Sequence, residues 1–201
     1  VDFCKVINDN ARAYEQIIEG GQQTADGGYV LVGYSSNGAP HGYMALIIKL
    51  DAAGNLQWSK TFQYTAKGYG AEARAISQLA DGGYVIGGEL VNSITKSLGH
   101  GFWLARLNAS GDEVWSHDYA EQDIIGYCNA LAETPDGDIL AVGGSHIAQM
   151  TLAKFNAAGT FLWDFNDESL PAAIGNDFVI TDDGGCVVVG SARNGGSTLI
   201  M

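Results

Sequence analysis

The sequence is poor in the residues that build disulfide-rich or metal-binding folds. It has 3 cysteines among 201 residues, Cys4, Cys128 and Cys186, and no two of them have the Cys-x-x-Cys spacing of zinc, haem or thiol–disulfide sites. An odd count in apolar surroundings favours three small buried side chains over a disulfide framework. The 3 prolines stand against 28 glycines, which is typical of turn-rich β-structure rather than of a disordered chain.

Positive charge, long apolar runs and catalytic motifs are scarce as well. Lys and Arg number 10 against 23 Asp and Glu, a net charge of −13, so phosphate backbones would be repelled and we expect no nucleic-acid partner. No run of 18 apolar residues occurs, so we expect no membrane insertion. No G-x-S-x-G, P-loop, H-E-x-x-H or G-x-G-x-x-G motif stands in a supporting context, so we predict neither an enzyme nor a cofactor.

The sequence is instead rich in one repeated unit. Asp-Gly turns stand between apolar runs, in steps of 55, 55 and 47 residues, at Asp26, Asp81, Asp136 and Asp183. A second signature, cation–apolar–Asx–small–small–Gly with Trp four residues later, starts at Lys49, Arg106 and Lys154 and ends at Trp58, Trp115 and Trp163. Both are hairpin signals, because Gly accepts a positive φ and the Asx side chain bonds the local backbone. The two signatures keep one phase, and their steps are close to the roughly 40–50 residues of a four-stranded propeller blade, so they predict a β-propeller.

We name the four predicted strands of each unit a, b, c and d. Strand b is apolar on both faces, as an inner strand between neighbouring blades would be, and its glycines are expected to let the sheets approach closely. Strand d alternates more and is expected at the outer, partly solvated edge. A single domain over residues 1–201 is predicted, with antiparallel blades at residues 20–64, 74–119, 129–165 and 177–201, the last blade being completed by residues 1–7.

The two ends of the chain are out of step with the repeat. Phe3 precedes Asp26 by 23 residues, as Trp58 precedes Asp81, so the chain opens with a d strand and stops within a c strand. Three arrangements fit: a closed four-bladed ring in which the N-terminal strand completes the last blade, a piece of a larger propeller, or strand exchange between chains. We favour the closed ring. An irregular or one-turn loop is expected at Asn10–Glu19.

The run Asp81-Gly82-Gly83-Tyr84-Val85 with the two glycines that end strand b, followed by the run from Phe102 to Trp115, resembles a known repeat. It is similar to exported bacterial and archaeal β-propeller proteins, in which DGGYxxxG and WxxKLDxxGxxxW units recur. The likeness covers all four units, the last one truncated, and is specific for the blade. It implies an extracellular or cell-surface setting and a structural or binding role, and it supplies no catalytic motif.

Three histidines fall in b–c loops, which should emerge on one face of the ring together with the d–a loops. They are His41, His100 and His146. Loops presented by a rigid scaffold often carry function, and neutral imidazoles arranged around one axis could hold a metal. The simpler interpretation, which we prefer, is that these are solvated loop histidines that bind no metal.

Three tyrosines fall in or beside the d–a loops on that same face. Tyr64, Tyr69 and Tyr127, with Asp123 and Asn37 nearby in the pattern, could form an aromatic and polar carbohydrate site. The alternative is that the tyrosines are wedged between blades as packing residues.

The sequence therefore predicts a non-catalytic extracellular module with a structural, assembly or interaction role, whose partner is a protein or another copy joined by strand exchange. The alternative is a lectin-like propeller that binds a carbohydrate or other ligand on the b–c and d–a loop face. A hydrolase would need a cleft with a strongly shifted carboxylate or histidine. The repeated residues Trp58, Trp115 and Trp163, with Phe3 in the same phase, are expected to be packing residues.

Overall fold

A computed structural model describes residues 15–36, 42–64, 69–91, 101–119, 124, 126–144, 150–166, 173–192 and 198–200. This part of the chain is all β. Its strands are β1 Glu15–Gln23, β2 Tyr29–Ser36, β3 Tyr43–Leu50, β4 Leu56–Phe62, β5 Gly70–Gln78, β6 Tyr84–Val91, β7 Gly101–Leu107, β8 Glu113–Asp118, β9 Tyr127–Glu133, β10 Ile139–Gly144, β11 Met150–Phe155, β12 Phe161–Asn166, β13 Ala173–Ile180, β14 Cys186–Ala192 and β15 Thr198–Ile200.

The strands form four antiparallel sheets, each in chain order, which we call blades 1 to 4. Blades 1 to 3 have four strands each, and blade 4 has three in the described residues, β13 to β15. Strand β1 contacts β5, β5 contacts β9, and β9 contacts β13, so strand a of each blade lies against strand a of the next. The predicted fold class, a β-propeller of four-stranded antiparallel blades, is confirmed. The segment 1–7, predicted to complete blade 4, lies outside the described residues.

The apolar cores lie between consecutive blades. Ile86 of β6 belongs to the core shared with blade 1, and its neighbour Val85 belongs to the core shared with blade 3. Leu140 and Val142 of β10 belong to the core between blades 3 and 4. Strand b of blade 2 is thus buried on both faces, as its continuous apolar run predicted. No helix in the described ranges is long and apolar enough to cross a membrane.

Both predicted hairpin turns are present. In the first a–b turn, Gly27 has a φ of 80° and its N–H donates to the carbonyl of Thr24 at 2.8 Å. The Asp26 carboxylate accepts from the N–H of Gly28 at 2.9 Å, which holds the turn from its own side chain. In the first c–d turn, Gly54 has a φ of 75°. Positive φ at these glycines is the conformational reason for the repeated sequence.

Strand a begins earlier in every blade than predicted. The predicted first residues were 20, 74, 129 and 177, whereas β1, β5, β9 and β13 begin at residues 15, 70, 127 and 173. The loop expected at Asn10–Glu19 is therefore wrong over its last five positions, because Glu15–Glu19 lie in β1. The cause is a β-bulge in each a strand. The pairing register shifts around one extra residue, which is Glu19, Arg74, Asn129 or Asn176.

The glycines of strand b leave room for the backbone of this bulge. A Cβ on Gly33, Gly88, Gly143 or Gly190 would overlap the carbonyl oxygen of Ile17, Glu72, Tyr127 or Ile174 respectively, each on the a strand of the same blade. The expectation that strand b glycines allow close approach of neighbouring sheets is therefore wrong for these four positions. It holds at Gly87, where a Cβ would lie 2.6 Å from Sγ of Cys128 in the next blade.

The two described cysteines are free thiols. Cys128 is fully buried and Cys186 partly buried, and burial raises the pKa of both thiols. The structure thus agrees with a packing role for Cys128. Cys4 lies outside the described residues.

Candidate functional site

The predicted histidine site lies outside the described residues. His41, His100 and His146, like Asp123 and Asn37, fall in segments that the structure leaves undescribed. The preferred interpretation, solvated loop histidines that bind no metal, therefore stays a prediction. Within the described ranges, no group of three or more His, Cys, Asp or Glu side chains could hold a metal ion.

The predicted tyrosines do not act as one group. Tyr64 and Tyr69 form an isolated antiparallel bridge with each other between blades 1 and 2, and both pack, partly buried, against the core of those blades. This environment agrees with the interpretation in which Tyr64 and Tyr69 are packing residues between blades. Tyr127 is the first residue of β9, at the loop face where strands a begin.

Tyr127 meets an arginine from the neighbouring blade. The guanidinium carbon of Arg74 lies 4.7 Å from the centroid of the Tyr127 ring, within the range of a cation–π contact. Arg74 is the bulge residue of β5, and bulges commonly re-aim a side chain. The bulge thus places a cation from blade 2 over an aromatic ring of blade 3.

Two carboxylates complete this group, which we call the Arg74 cluster: Glu72, Arg74, Glu89 and Tyr127. Arg74 Nη2 lies 2.5 Å from Glu89 Oε1 and 3.9 Å from Glu72 Oε2. Glu72 and Glu89 stand directly opposite each other on β5 and β6. Their side chains are 15% and 7% exposed, and that of Arg74 is 29% exposed. Two like charges facing across a ladder repel each other, and Arg74, which lies near both carboxylates, offsets part of that repulsion.

The electrostatics of the cluster keep a proton on Glu72 at higher pH than usual. Burial, followed by repulsion from Glu89, raises the pKa of Glu72 to about 7, and Glu19 and Glu15 of β1 add to the rise while Arg74 opposes it. Near neutral pH this side chain therefore exists in both forms. It can donate a hydrogen bond as the acid or accept one as the carboxylate.

Tyrosines of blade 1 lie on the same end of the molecule. The rings of Tyr34 and Tyr43 meet edge to face at 5.6 Å. The pKa of Tyr34 is raised by burial and then by the charges of Glu15 and Glu72. Blade 1 thus faces the cluster with aromatic rings and further negative charge.

Sequence reasoning missed Glu72, Arg74 and Glu89. Glu72 precedes the predicted start of blade 2 at residue 74, and none of the three was predicted as a site residue, whereas all three lie in strands. A usable signal was present in Ala71-Glu72-Ala73-Arg74-Ala75, where small and charged residues alternate with period two. Only the bulge, which the sequence does not announce, turns Arg74 towards Tyr127.

Comparison with known proteins bears on the fold alone. The sequence matches no family model, and no curated protein matches it. A candidate exo-β-1,3-galactanase from Bifidobacterium bifidum S17 aligns with a TM-score of 0.53 at 16% identity, over 98% of this chain and 75% of that one. A luciferin-regenerating enzyme aligns with a TM-score of 0.52 at 11% identity, over 95% of this chain and 60% of that one.

A protein of unknown function from Bacteroides caccae is also similar, with a TM-score of 0.49 at 15% identity over 86% of this chain. The chain spans 56% of that structure and 60% of the luciferin-regenerating enzyme. The likeness extends to the fold and no further.

Proposed function

We propose that this protein is an exported, non-catalytic binding propeller that holds a carbohydrate at the Arg74 cluster. The observation that carries the proposal is the meeting of an aromatic ring, a guanidinium and two paired carboxylates at the loop face of blades 2 and 3. Tyr127 contributes a phenol ring to that face. Sugar rings present a flat apolar face and a rim of hydroxyls, and such a mixture of groups fits both.

The protonation of Glu72 suits hydroxyl ligands. A hydroxyl both donates and accepts hydrogen bonds, and Glu72, whose pKa is raised to about 7 by burial and by Glu89, can meet either need near neutral pH. Arg74 supplies donors only. Arg74, as a donor, and Glu72, as a donor or an acceptor, are together sufficient to orient two neighbouring hydroxyl groups of a sugar.

The negative charge around the cluster limits which sugars can bind there. Four carboxylates act on this region, those of Glu15, Glu19, Glu72 and Glu89, against the single guanidinium of Arg74. The whole chain carries a net charge of −13. A sialylated or uronic-acid glycan would be repelled, so we expect neutral sugars or amino sugars to bind.

The geometry favours binding over hydrolysis. Glycoside hydrolysis commonly uses one protonated and one free carboxylate on either side of the scissile bond. Glu72 meets the first requirement, because its pKa is raised. Glu89 does not meet the second, because it is 7% exposed and accepts a hydrogen bond from Arg74 at 2.5 Å. A carboxylate held and hidden in this way is poorly placed to attack a sugar ring.

The export part of the proposal rests on the sequence. The Asp-Gly-Gly-Tyr and cation–Leu–Asx–x–x–Gly–x₃–Trp units resemble those of exported propellers, and an acidic composition is compatible with that setting. Detection of the native protein in the cell envelope or the medium, rather than in the cytosol, tests this part separately.

A glycan array followed by calorimetry tests the binding site. We expect neutral or amino glycans to be bound and their sialylated forms not to be bound. Tyr127→Ala should weaken binding by at least about tenfold, or about 1.4 kcal/mol, because the ring face is lost. Glu133→Gln, at the opposite end of the same strand, should leave affinity unchanged and serves as the control.

Two results would contradict the proposal. One is an array without binders, on protein whose cooperative unfolding shows that it is folded. The other is release of reducing ends from a bound glycan that disappears in Glu72→Gln, because that would make the cluster catalytic.

A further inference from the structure

The carboxylate of Glu72 has a cation nearby but receives no hydrogen bond from it. Nη2 of Arg74 lies 3.9 Å from Glu72 Oε2, which is too long for a hydrogen bond. The same nitrogen lies 2.5 Å from Glu89 Oε1, so the guanidinium is committed to Glu89. Among the described residues no donor lies within hydrogen-bond distance of the Glu72 carboxylate, and its side chain is 15% exposed. A donor from outside the chain can therefore bond Glu72.

The charges around Glu72 favour a cation as that donor. Glu89 faces Glu72 across the ladder of β5 and β6, and the carboxylates of Glu15 and Glu19 on β1 also act on it. Against these three stands the guanidinium of Arg74. The attraction between a carboxylate and a cation grows as the site becomes less exposed to water. The raised pKa of Glu72, about 7, has the same cause, because the proton is the smallest cation that this position can take.

The contact between Arg74 and Tyr127 shows independently that the cluster accommodates an organic cation. The guanidinium carbon lies 4.7 Å from the centroid of the phenol ring, where the ring quadrupole attracts positive charge. Tyr127 belongs to β9 of blade 3, whereas the two carboxylates belong to β5 and β6 of blade 2. Carboxylates of one blade thus meet an aromatic ring of the next, a combination that suits ammonium ligands.

We propose that the sugar bound at the Arg74 cluster carries a free amino group, and that the site prefers such amino sugars to their N-acetylated forms. The ammonium group donates to Glu72 beside Arg74, and the sugar ring lies against Tyr127. An ammonium group offers three N–H donors and a positive charge, whereas an acetamido group offers one N–H and no charge. This inference rests on the proposed function, since it names the class of sugar that the same site takes.

Matched pairs of oligosaccharides test the preference. The probes are tetramers of glucosamine and of galactosamine, each in the free-amine and the fully N-acetylated form, measured by calorimetry at pH 7 and low ionic strength. We expect the free amine of at least one pair to bind at least about tenfold more tightly than its N-acetylated form, because it gains a hydrogen bond between two charged groups. Added salt should reduce this difference.

Glu72→Gln is the variant that tests the contact, because it removes the charge of the carboxylate and keeps its shape. In this variant the two members of a pair should bind within about twofold of each other. Glu133→Gln removes the same charge at the opposite end of β9 and should retain the preference. Cooperative unfolding of both variants shows that they are folded.

Proton release gives a readout that a change in packing would not produce. Because the pKa of Glu72 is about 7, part of the protein carries a proton there at neutral pH, and a bound ammonium group should expel it. The release is measured from binding heats in two buffers of different ionisation enthalpy, and it should be lost in Glu72→Gln. That variant retains the other charged or titratable groups around this position, which are Glu15, Glu19, Glu89, Arg74 and Tyr127.

The possible failures separate this inference from the proposed function. Equal or tighter binding of the N-acetylated forms overturns the inference and leaves the carbohydrate site in place. The same holds if Glu72→Gln keeps the preference or the proton release, or if Glu133→Gln loses the preference. A glycan array without any binder contradicts the proposed function itself, and the inference falls with it.

Discussion

Glu72 shows how a strand position sets the chemistry of a single side chain. It faces Glu89 across the β5–β6 ladder, sits close to Arg74, and is coupled to Glu15 and Glu19 of β1. Burial disfavours the charged form, and each neighbouring carboxylate disfavours it further. The one guanidinium of the cluster bonds Glu89 at 2.5 Å, so Glu72 receives the smaller share of its stabilisation. The anionic form of Glu72 is therefore poorly stabilised, which agrees with its raised pKa of about 7.

The stability of the fold should therefore depend on Glu72 between about pH 5 and about pH 8. The folded state raises the pKa of Glu72 from 4.5 to about 7, so the native state binds this proton more tightly than the unfolded chain does. Its contribution is fully present below pH 4.5 and is lost as pH rises through 7. After allowance for partial exposure we expect a loss of about 1–2 kcal/mol, measured by urea unfolding. Glu72→Gln should flatten this part of the profile.

Glu113→Gln, at an exposed position on β8, is the matched control and should leave the pH profile of the wild type unchanged. A wild-type profile that rises across the interval, or a fall that survives in Glu72→Gln, would show that other groups dominate.

The turn residues could be predicted from the sequence, whereas the Arg74 cluster could not. Asp26 and Gly27 act through bonds to their own turn, so local chemistry is sufficient to place them. The contact of Arg74 with Tyr127 depends on a register shift in one strand and on the packing of a second blade. Neither is a property of the residues next to Arg74 in the chain.

At the scale of the strand, the bulges decide where each blade begins. The predicted blade starts, residues 20, 74, 129 and 177, coincide with the bulge residue or the one after it. The period of two is continuous only after the bulge, because the extra residue reverses which side chains face the core. Sequence patterning therefore detected the second half of each a strand and assigned the first half to a loop. The order of the four strands, which depends only on turns, was predicted correctly for blades 1 to 3.

Removing a bulge should cost far more than removing its side chain. Deleting Asn129 would shift Tyr127 and Cys128 by one position, and Cys128 is fully buried in the core of blades 2 and 3. We expect a loss of at least about 3 kcal/mol or failure to fold. Asn129→Ala loses only the bond from Nδ2 to the carbonyl of Gly175 at 2.9 Å, about 1 kcal/mol. Urea unfolding midpoints compare the stability of the two variants. Equal losses of stability would show that the bulge does not fix the register of β9.

At the scale of the whole molecule, the face of blade 1 that points away from blade 2 is buried. Leu46, Ile48 and Leu50 form their own buried cluster and are at most 6% exposed. Their counterparts in blade 2, one of which is Trp103, are buried against the preceding blade. Gly54 is buried as well, as Gly111 is under Trp58. The repeat therefore predicts a d-strand aromatic residue over this face, and Phe3 stands in that phase of the sequence.

Phe3→Ala should then destabilise the protein although Phe3 lies outside the described residues. If Phe3 covers this face, Phe3→Ala should lower the free energy of unfolding by about 2–3 kcal/mol. Phe3→Trp, which restores the residue of the other units, should keep the free energy of unfolding within about 1 kcal/mol of the wild type. Phe165→Ala, at an exposed d-strand position, should cost less than about 1 kcal/mol. The free energies of unfolding of the three variants are measured by urea denaturation. If Phe3→Ala proves as mild as Phe165→Ala, the N-terminal strand does not cover blade 1, and the ring is not closed by residues 1–7.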